Sequence, residues 1–213
     1  MEPKRRETPP ETPPLFDQVR SISCDFDGVL STLVLGRRWV KTRARKRAIP
    51  LLSPIGEGLK ALIGALSERL RGPFPHADEI LRRLRSSDRT LYVLTSRTGA
   101  GVGLAQRWLE RQGWRDLFER EFFNVDSEDA DLFKARILRT APIDVHIDDD
   151  PETLAHLSAE FPRKLFVHMN SSKRESVTAP NVVTVRSWPE LSAVFFAGAK
   201  VEADPQNEKA KPA

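Results

Sequence analysis

Six short apolar runs, spaced by segments of helical pattern, constrain this chain more than any other feature. They are VRSISCDF (19–26), TLYVLT (90–95), EFFNV (121–125), IDVHID (143–148), KLFVHM (164–169) and VVTVRS (182–187). Several are near-continuously apolar, the pattern of strands buried on both faces of a parallel sheet. Between them HADEILRRLRSS, GLAQRWLERQGW, DLFKARILRT and PETLAHLSAEF repeat their apolar residues at helical spacing. Such alternation predicts an α/β fold: a Rossmann-like, doubly wound core with a mainly parallel sheet. In sheets of this kind ligands bind beyond the carboxyl ends of the strands, near a topological switch point.

One stretch breaks the alternation. From Ser31 to Phe74 no strand leads directly into a crossover helix; GRRWVKTRARKR is followed instead by PLLSPIGEGLKALIGALSERLRG. There Ile55, Leu59, Leu62, Ile63, Leu66 and Leu70 share one helical face, and Gly72-Pro73 closes the segment. The expected organisation is a core of residues 15–30 and 75–198, with a small helical cap inserted at 31–74. Prolines and charges predict disordered tails at 1–14 and 199–213.

The chain has 213 residues, enough for one medium domain with an insertion, and a formal net charge of +4. Its single cysteine, Cys24, excludes an internal disulfide and fits a reducing compartment. The polar, proline-rich start MEPKRRETPPETPP does not read as a secretory leader, and no run is apolar enough to cross a bilayer. A cytoplasmic location is expected.

The strand ends carry the chemistry. Asp25 and Asp27 close the first strand, and Thr95, followed by Ser96 and Arg97, closes TLYVLT. Lys134 lies in DLFKARIL, and Asp148, Asp149 and Asp150 close IDVHID. In a parallel sheet these ends share one edge, so two acidic clusters, a hydroxyl and an amine converge there. Acids from two loops make a hard-oxygen site suited to Mg²⁺, which keeps several waters and takes a substrate phosphate.

An apolar strand ending in DFDGV, a strand ending in Thr, a later lysine and a strand ending in paired aspartates together resemble the haloacid dehalogenase superfamily. The resemblance runs from Val19 to Phe196 and fits the phosphatase branch, with Val29 in the last place of the first motif. It implies Mg²⁺-dependent hydrolysis of a phosphomonoester. Asp25 would be the nucleophile and Asp27 the acid and base; dehalogenase members do without that second aspartate. Thr95, with Ser96 and Arg97 beside it, would contact the phosphoryl group. Lys134 would touch both nucleophile and phosphoryl oxygens, with Lys164 and Arg136 as the other basic candidates. Asp148, Asp149, Asp25 and the backbone carbonyl of Asp27 would hold the metal. Asp150 reads as a helix cap before Pro151.

Other features carry less. The acids Asp126, Glu128, Asp129 and Asp131 fit a loop and a helix N-terminus. His76, His146, His156 and His168 lack metal-ligand spacing. The glycine-rich TGAGVGL (98–104) misses the last glycine of a dinucleotide fingerprint and reads as a mobile loop near the substrate. The basic stretch Arg37 to Arg47 suits an anionic partner, whether nucleic acid ends, a highly phosphorylated metabolite or a lipid surface, or is simply a solvated face. The substrate class that follows includes nucleotides, nucleic acid ends and other strongly anionic esters. The alternative reading is a low-activity binding module for nucleic acid or anionic lipid.

Overall fold

Buried β-branched and aromatic residues set the strands. In the computed structural model, which describes residues 16, 18–33, 71–171 and 177–196, six parallel strands form one sheet. They are β1 (Ser21–Cys24), β4 (Thr90–Thr95), β5 (Phe118–Phe123), β6 (Val145–Asp148), β7 (Leu165–Met169) and β8 (Val182–Val185), in the order β5-β4-β1-β6-β7-β8. A separate antiparallel pair joins β2 (Ser31–Leu33) to β3 (Arg71–Pro73). The helices are α1 (Ala77–Ser86), α2 (Ala100–Gln112), α3 (Ala130–Thr140), α4 (Pro151–Glu160) and α5 (Trp188–Phe196).

Alternate strand residues feed two cores. Ile22, Cys24, Val93 and Ile147 point to one face, where Trp108, Trp188 and Phe195 of α2 and α5 complete the packing with Leu81 and Leu84 of α1. Tyr92, Leu94 and Phe166 point to the other, against Phe133, Ile137, Leu154 and Leu157 of α3 and α4. Burying every strand on both faces is why these runs read as nearly continuous in apolar character. At the amino edge Asp144 ties β1 to β6: its Oδ2 accepts from the backbone N–H groups of Arg20 and Ser21 and from the Ser21 hydroxyl.

From β1 the chain winds outward through β4 to β5, then crosses back to β6 and winds the other way to β8. The switch point lies between β1, which Asp25 follows, and β6, which ends in Asp148.

Several elements differ from the sequence reading. β5 starts at Phe118 rather than Glu121, because an edge strand tolerates the exposed Glu119 and Arg120. α2 starts at Ala100, so Gly101 and Gly103 of the expected mobile loop form its first turn, with Gly99 at φ +51° as the N-cap. α5 was hidden in SWPELSAVFF, whose apolar residues run too close together to show a clear face. The ends of the expected 31–74 insertion are strands, not helix. Both tails, most of the insertion (34–70) and the basic stretch Arg37 to Arg47 lie outside the described residues. Among the described residues no helix is long and apolar enough to cross a membrane.

Candidate active site

The turn after β1 is built to bring a second carboxylate to the switch point. The Asp25 backbone N–H still donates to Ile147 O of β6 at 2.8 Å, so the Asp25 side chain leaves from the last paired position. Gly28 then turns at φ +84°, and its N–H donates to Ser31 O. A Cβ built on Gly28 would stand 2.4 Å from Asp149 Cγ, so the missing side chain is the room in which that carboxylate sits.

Lys134 joins the two acidic strand ends. Its Nζ donates to Asp148 Oδ2 at 2.6 Å and to Asp25 Oδ1 at 3.1 Å, with the lysine side chain only 4% exposed. Asp129 caps α3, its side chain accepting from the Asp131 N–H, and this sets the helix start that carries Lys134 to the carboxyl edge. The other basic candidates are engaged elsewhere: Lys164 donates to Ile143 O and Arg136 pairs with Glu128.

His146 buttresses the same acid. Its Nε2 lies 3.2 Å from Asp148 Oδ2 and its Nδ1 2.9 Å from Ser23 Oγ. Burial holds this imidazole below its ordinary pKa despite the carboxylate beside it. A neutral ring donating from Nε2 to Asp148 leaves Nδ1 to accept the Ser23 hydroxyl proton.

Electrostatics separate the carboxylates. Burial pushes Asp25 well above the usual carboxylate range; Lys134 opposes this, while Asp148, Asp27 and Asp149 add to it. Burial acts on Asp148 in the same direction, yet Lys134 and His146 hold it far below that range. Burial would lower Lys134, but Asp148 and Asp25 keep it firmly protonated. Asp27 is different again. Arg97 grips it with Nε to Oδ2 at 2.8 Å and Nη2 to Oδ1 at 2.9 Å, and Arg71 Nη1 reaches Oδ1 at 2.6 Å. Burial alone would raise Asp27; the Arg97 fork and the Arg71 charge hold it below its ordinary value.

The donor set suits a hard divalent cation. Carboxylate oxygens of Asp25, Asp148 and Asp149 lie within 4.8 Å of one another. Ligands on opposite sides of one Mg²⁺ stand about 4.2 Å apart, so small side-chain shifts would bring this trio onto a single ion. The Asp27 carboxylate faces the two arginines instead.

Thr95 is buried at the end of β4, while Ser96 and Arg97 are partly exposed beyond it. Asp150 occupies the N-cap position of α4 ahead of Pro151, but its side chain makes no capping bond to a helix N–H; the Thr153 hydroxyl beside it lies nearer to Asp131 Oδ1, at 2.6 Å, than to Asp150 Oδ2, at 3.1 Å. Sequence reasoning missed Arg71 and the role of Gly28, and set His146 aside with the other histidines. Only Gly28 left a signal, as a glycine directly after paired acids.

Gly28→Ala is expected to destabilise the protein by about 2 kcal/mol or more, from the positive φ and the displaced Asp149. Thermal melts with and without Mg²⁺ check this: the variant should also lose most of the Mg²⁺-dependent rise in Tm.

No family model matches the sequence, and no curated protein does. Solved structures do. A predicted phosphatase from Clostridium acetobutylicum superposes with a TM-score of 0.62 at 12% identity, covering 84% of this chain and 99% of that one. YfnB of Bacillus subtilis, solved with bound magnesium, gives a TM-score of 0.54 at 13% identity, covering 83% and 98%. The L-2-haloacid dehalogenase RSc1362 gives 0.57 at 14%, covering 83% and 98%. The chain therefore has the fold of the haloacid dehalogenase-like hydrolases.

Proposed function

We propose that this protein is a Mg²⁺-dependent phosphatase that hydrolyses a phosphomonoester through an aspartyl-phosphate on Asp25. The observation that carries the reading is the charge centre at the switch point: Lys134 between Asp25 and Asp148, with Asp149 completing a three-carboxylate set. The solved neighbours include both a predicted phosphatase and a dehalogenase. Asp27 favours the phosphatase, because a dehalogenase has no use for a second aspartate there.

In this mechanism an Asp25 oxygen attacks phosphorus as the bond to the ester oxygen breaks, and that oxygen takes a proton from Asp27. Water then attacks the phosphorus of the acyl phosphate and gives its proton to Asp27; inorganic phosphate leaves and Asp25 is restored. Lys134 stabilises charge on the nucleophile and on the transferring group, and the Thr95 hydroxyl orients the phosphoryl oxygens. Mg²⁺ held by Asp25, Asp148, Asp149 and the Asp27 carbonyl would neutralise charge on the phosphoryl group and lower the nucleophile's pKa.

One observation favours the second reading, a low-activity binding module for nucleic acid or anionic lipid. Two guanidiniums hold Asp27 ionised, whereas the acid role needs it protonated. The stretch Arg37 to Arg47, lying in the proposed helical cap (31–74), would supply the anionic contact in that case and would select substrates in the first. A buried free Cys24 fits the proposed cytoplasmic location.

Phosphate release from a panel of nucleotides, sugar phosphates, 3′- and 5′-phosphorylated oligonucleotides and phospholipid headgroups tests the choice. Turnover that needs Mg²⁺ and stops with a chelator supports the phosphatase. Tight, salt-sensitive oligonucleotide or vesicle binding without turnover supports the module.

A further inference from the structure

Ser23 and His146 stand where the sheet would ordinarily take apolar side chains. The strand registers place Tyr92, Ser23, His146 and Phe166 in one row across β4, β1, β6 and β7. Tyr92 and Phe166 belong to the core packed against α3 and α4. Ser23 and His146 are buried just as deeply. A hydroxyl and an imidazole in that row cost stability that an apolar pair would not. Asp148 follows His146 by two residues on β6, so both side chains leave the same face of the sheet.

The hydrogen bonds give this polar pair a direction. A carboxylate accepts and does not donate, so the imidazole nitrogen facing Asp148, Nε2, carries the ring proton. Nδ1 is then the acceptor for the Ser23 hydroxyl at 2.9 Å; Val145 O, also within reach of that hydroxyl, is farther away at 3.4 Å. The ring is thus held at both nitrogens. On Asp148, Oδ2 takes the Lys134 ammonium at 2.6 Å and His146 Nε2 at 3.2 Å, while Oδ1 takes the Asp150 backbone N–H at 3.0 Å. A carboxylate has about four lone-pair sites, two on each oxygen. Oδ2 is therefore filled, and Oδ1 keeps one lone pair to give.

We infer that His146, braced by Ser23, is a positioning residue that holds Asp148 Oδ2 on Lys134 and so leaves Oδ1 as the oxygen Asp148 gives to the metal. The inference rests on the metal half of the phosphatase reading and deepens it. The last torsion of an aspartate is soft, so a carboxylate held by Lys134 alone would have to be ordered as the metal binds. His146 does that ordering beforehand, without touching metal or substrate. Hydrogen-bonding partners of a ligating carboxylate are typically worth about tenfold to a hundredfold in metal affinity.

Calorimetric titration of the metal-free protein with Mg²⁺ tests this. His146→Leu, which fills the row but has no N–H, should raise Kd about tenfold to a hundredfold. His146→Gln, whose amide can donate from near the Nε2 position, should recover most of that loss. A leucine variant that binds Mg²⁺ like wild type overturns the inference. So does a glutamine variant as weak as the leucine one, because the N–H would then not be what matters. A further readout needs no variant: nitrogen-15 NMR of the metal-free wild type should find the His146 proton on Nε2 with Nδ1 bare, and a proton on Nδ1 overturns the assignment. Mg²⁺ affinity that falls in His146→Leu and returns in His146→Gln upholds the inference even if no ester is hydrolysed. Ester hydrolysis by wild type, with Mg²⁺ affinity unmoved in His146→Leu, sinks the inference and spares the phosphatase. A wild type that binds no Mg²⁺ overturns the inference together with the metal-dependent reading.

Discussion

Asp25→Asn is expected to abolish phosphate release, with kcat down on the order of a thousandfold or more, while the metal-free protein becomes no less stable. The two halves share one cause. Asparagine keeps the size of the side chain and an oxygen for the Lys134 ammonium, but it has no nucleophilic carboxylate, and loss of a nucleophile costs several decades in rate. The same change removes a charge that is buried among Asp148, Asp27 and Asp149. A carboxyl whose folded pKa lies above its unfolded value contributes stability below the unfolded pKa and loses it as pH rises through the folded one. Metal-free wild type should therefore lose stability as pH climbs through and above the ordinary carboxylate range, and Asp25→Asn should lack that part of the slope. Urea unfolding at a series of pH values in chelator measures it. A variant clearly less stable than wild type at neutral pH would mean that Asp25 is held by structure rather than strained for chemistry.

Lys134→Met should have the largest effect on stability. Lys134 is the cation between two buried carboxylates, and methionine fills its volume without its charge. Breaking a buried ion pair from one side typically costs about 3–5 kcal/mol, because the remaining charge is left in a poor medium. Here Asp148 is left buried without its ammonium, and Asp25 without the charge that opposes its burial. Saturating Mg²⁺ should restore part of the loss, since a divalent cation at Asp25, Asp148 and Asp149 supplies the missing positive charge. Activity should stay low even then, for want of an ammonium on the transferring group. Denaturation with and without Mg²⁺ checks both points. A variant as stable as wild type in chelator would contradict the description of Lys134 as the centre of the site.

Much of this site was legible in the sequence because parallel sheets align strand ends. Asp25, Thr95 and Asp148 each end an apolar run, so order along the chain was enough to bring them to one edge. Lys134 was harder, since a helix lysine is usually solvated; only its place before IDVHID singled it out. Arg71 was not legible. It is far from Asp27 in the chain, across the whole insertion, and it meets Asp27 because β2 and β3 pair. The Ser23–His146–Asp148 chain was hidden for a different reason. It depends on the register of β1 against β6, which pairs Ser23 with His146, and register is not written in either strand alone. The early start of α2 depends on Gly99 taking a positive φ, which glycine permits and does not announce.

The central claim is that Asp25 becomes phosphorylated. The direct measurement is a rapid acid quench of the wild-type protein during turnover of its best phosphomonoester with Mg²⁺, followed by peptide mapping by mass spectrometry. The account predicts one phosphoryl group on the peptide containing Ser21 to Leu30, located at Asp25 and released by hydroxylamine. Phosphate release at full rate with that peptide unmodified, or with the label on another residue, would contradict it.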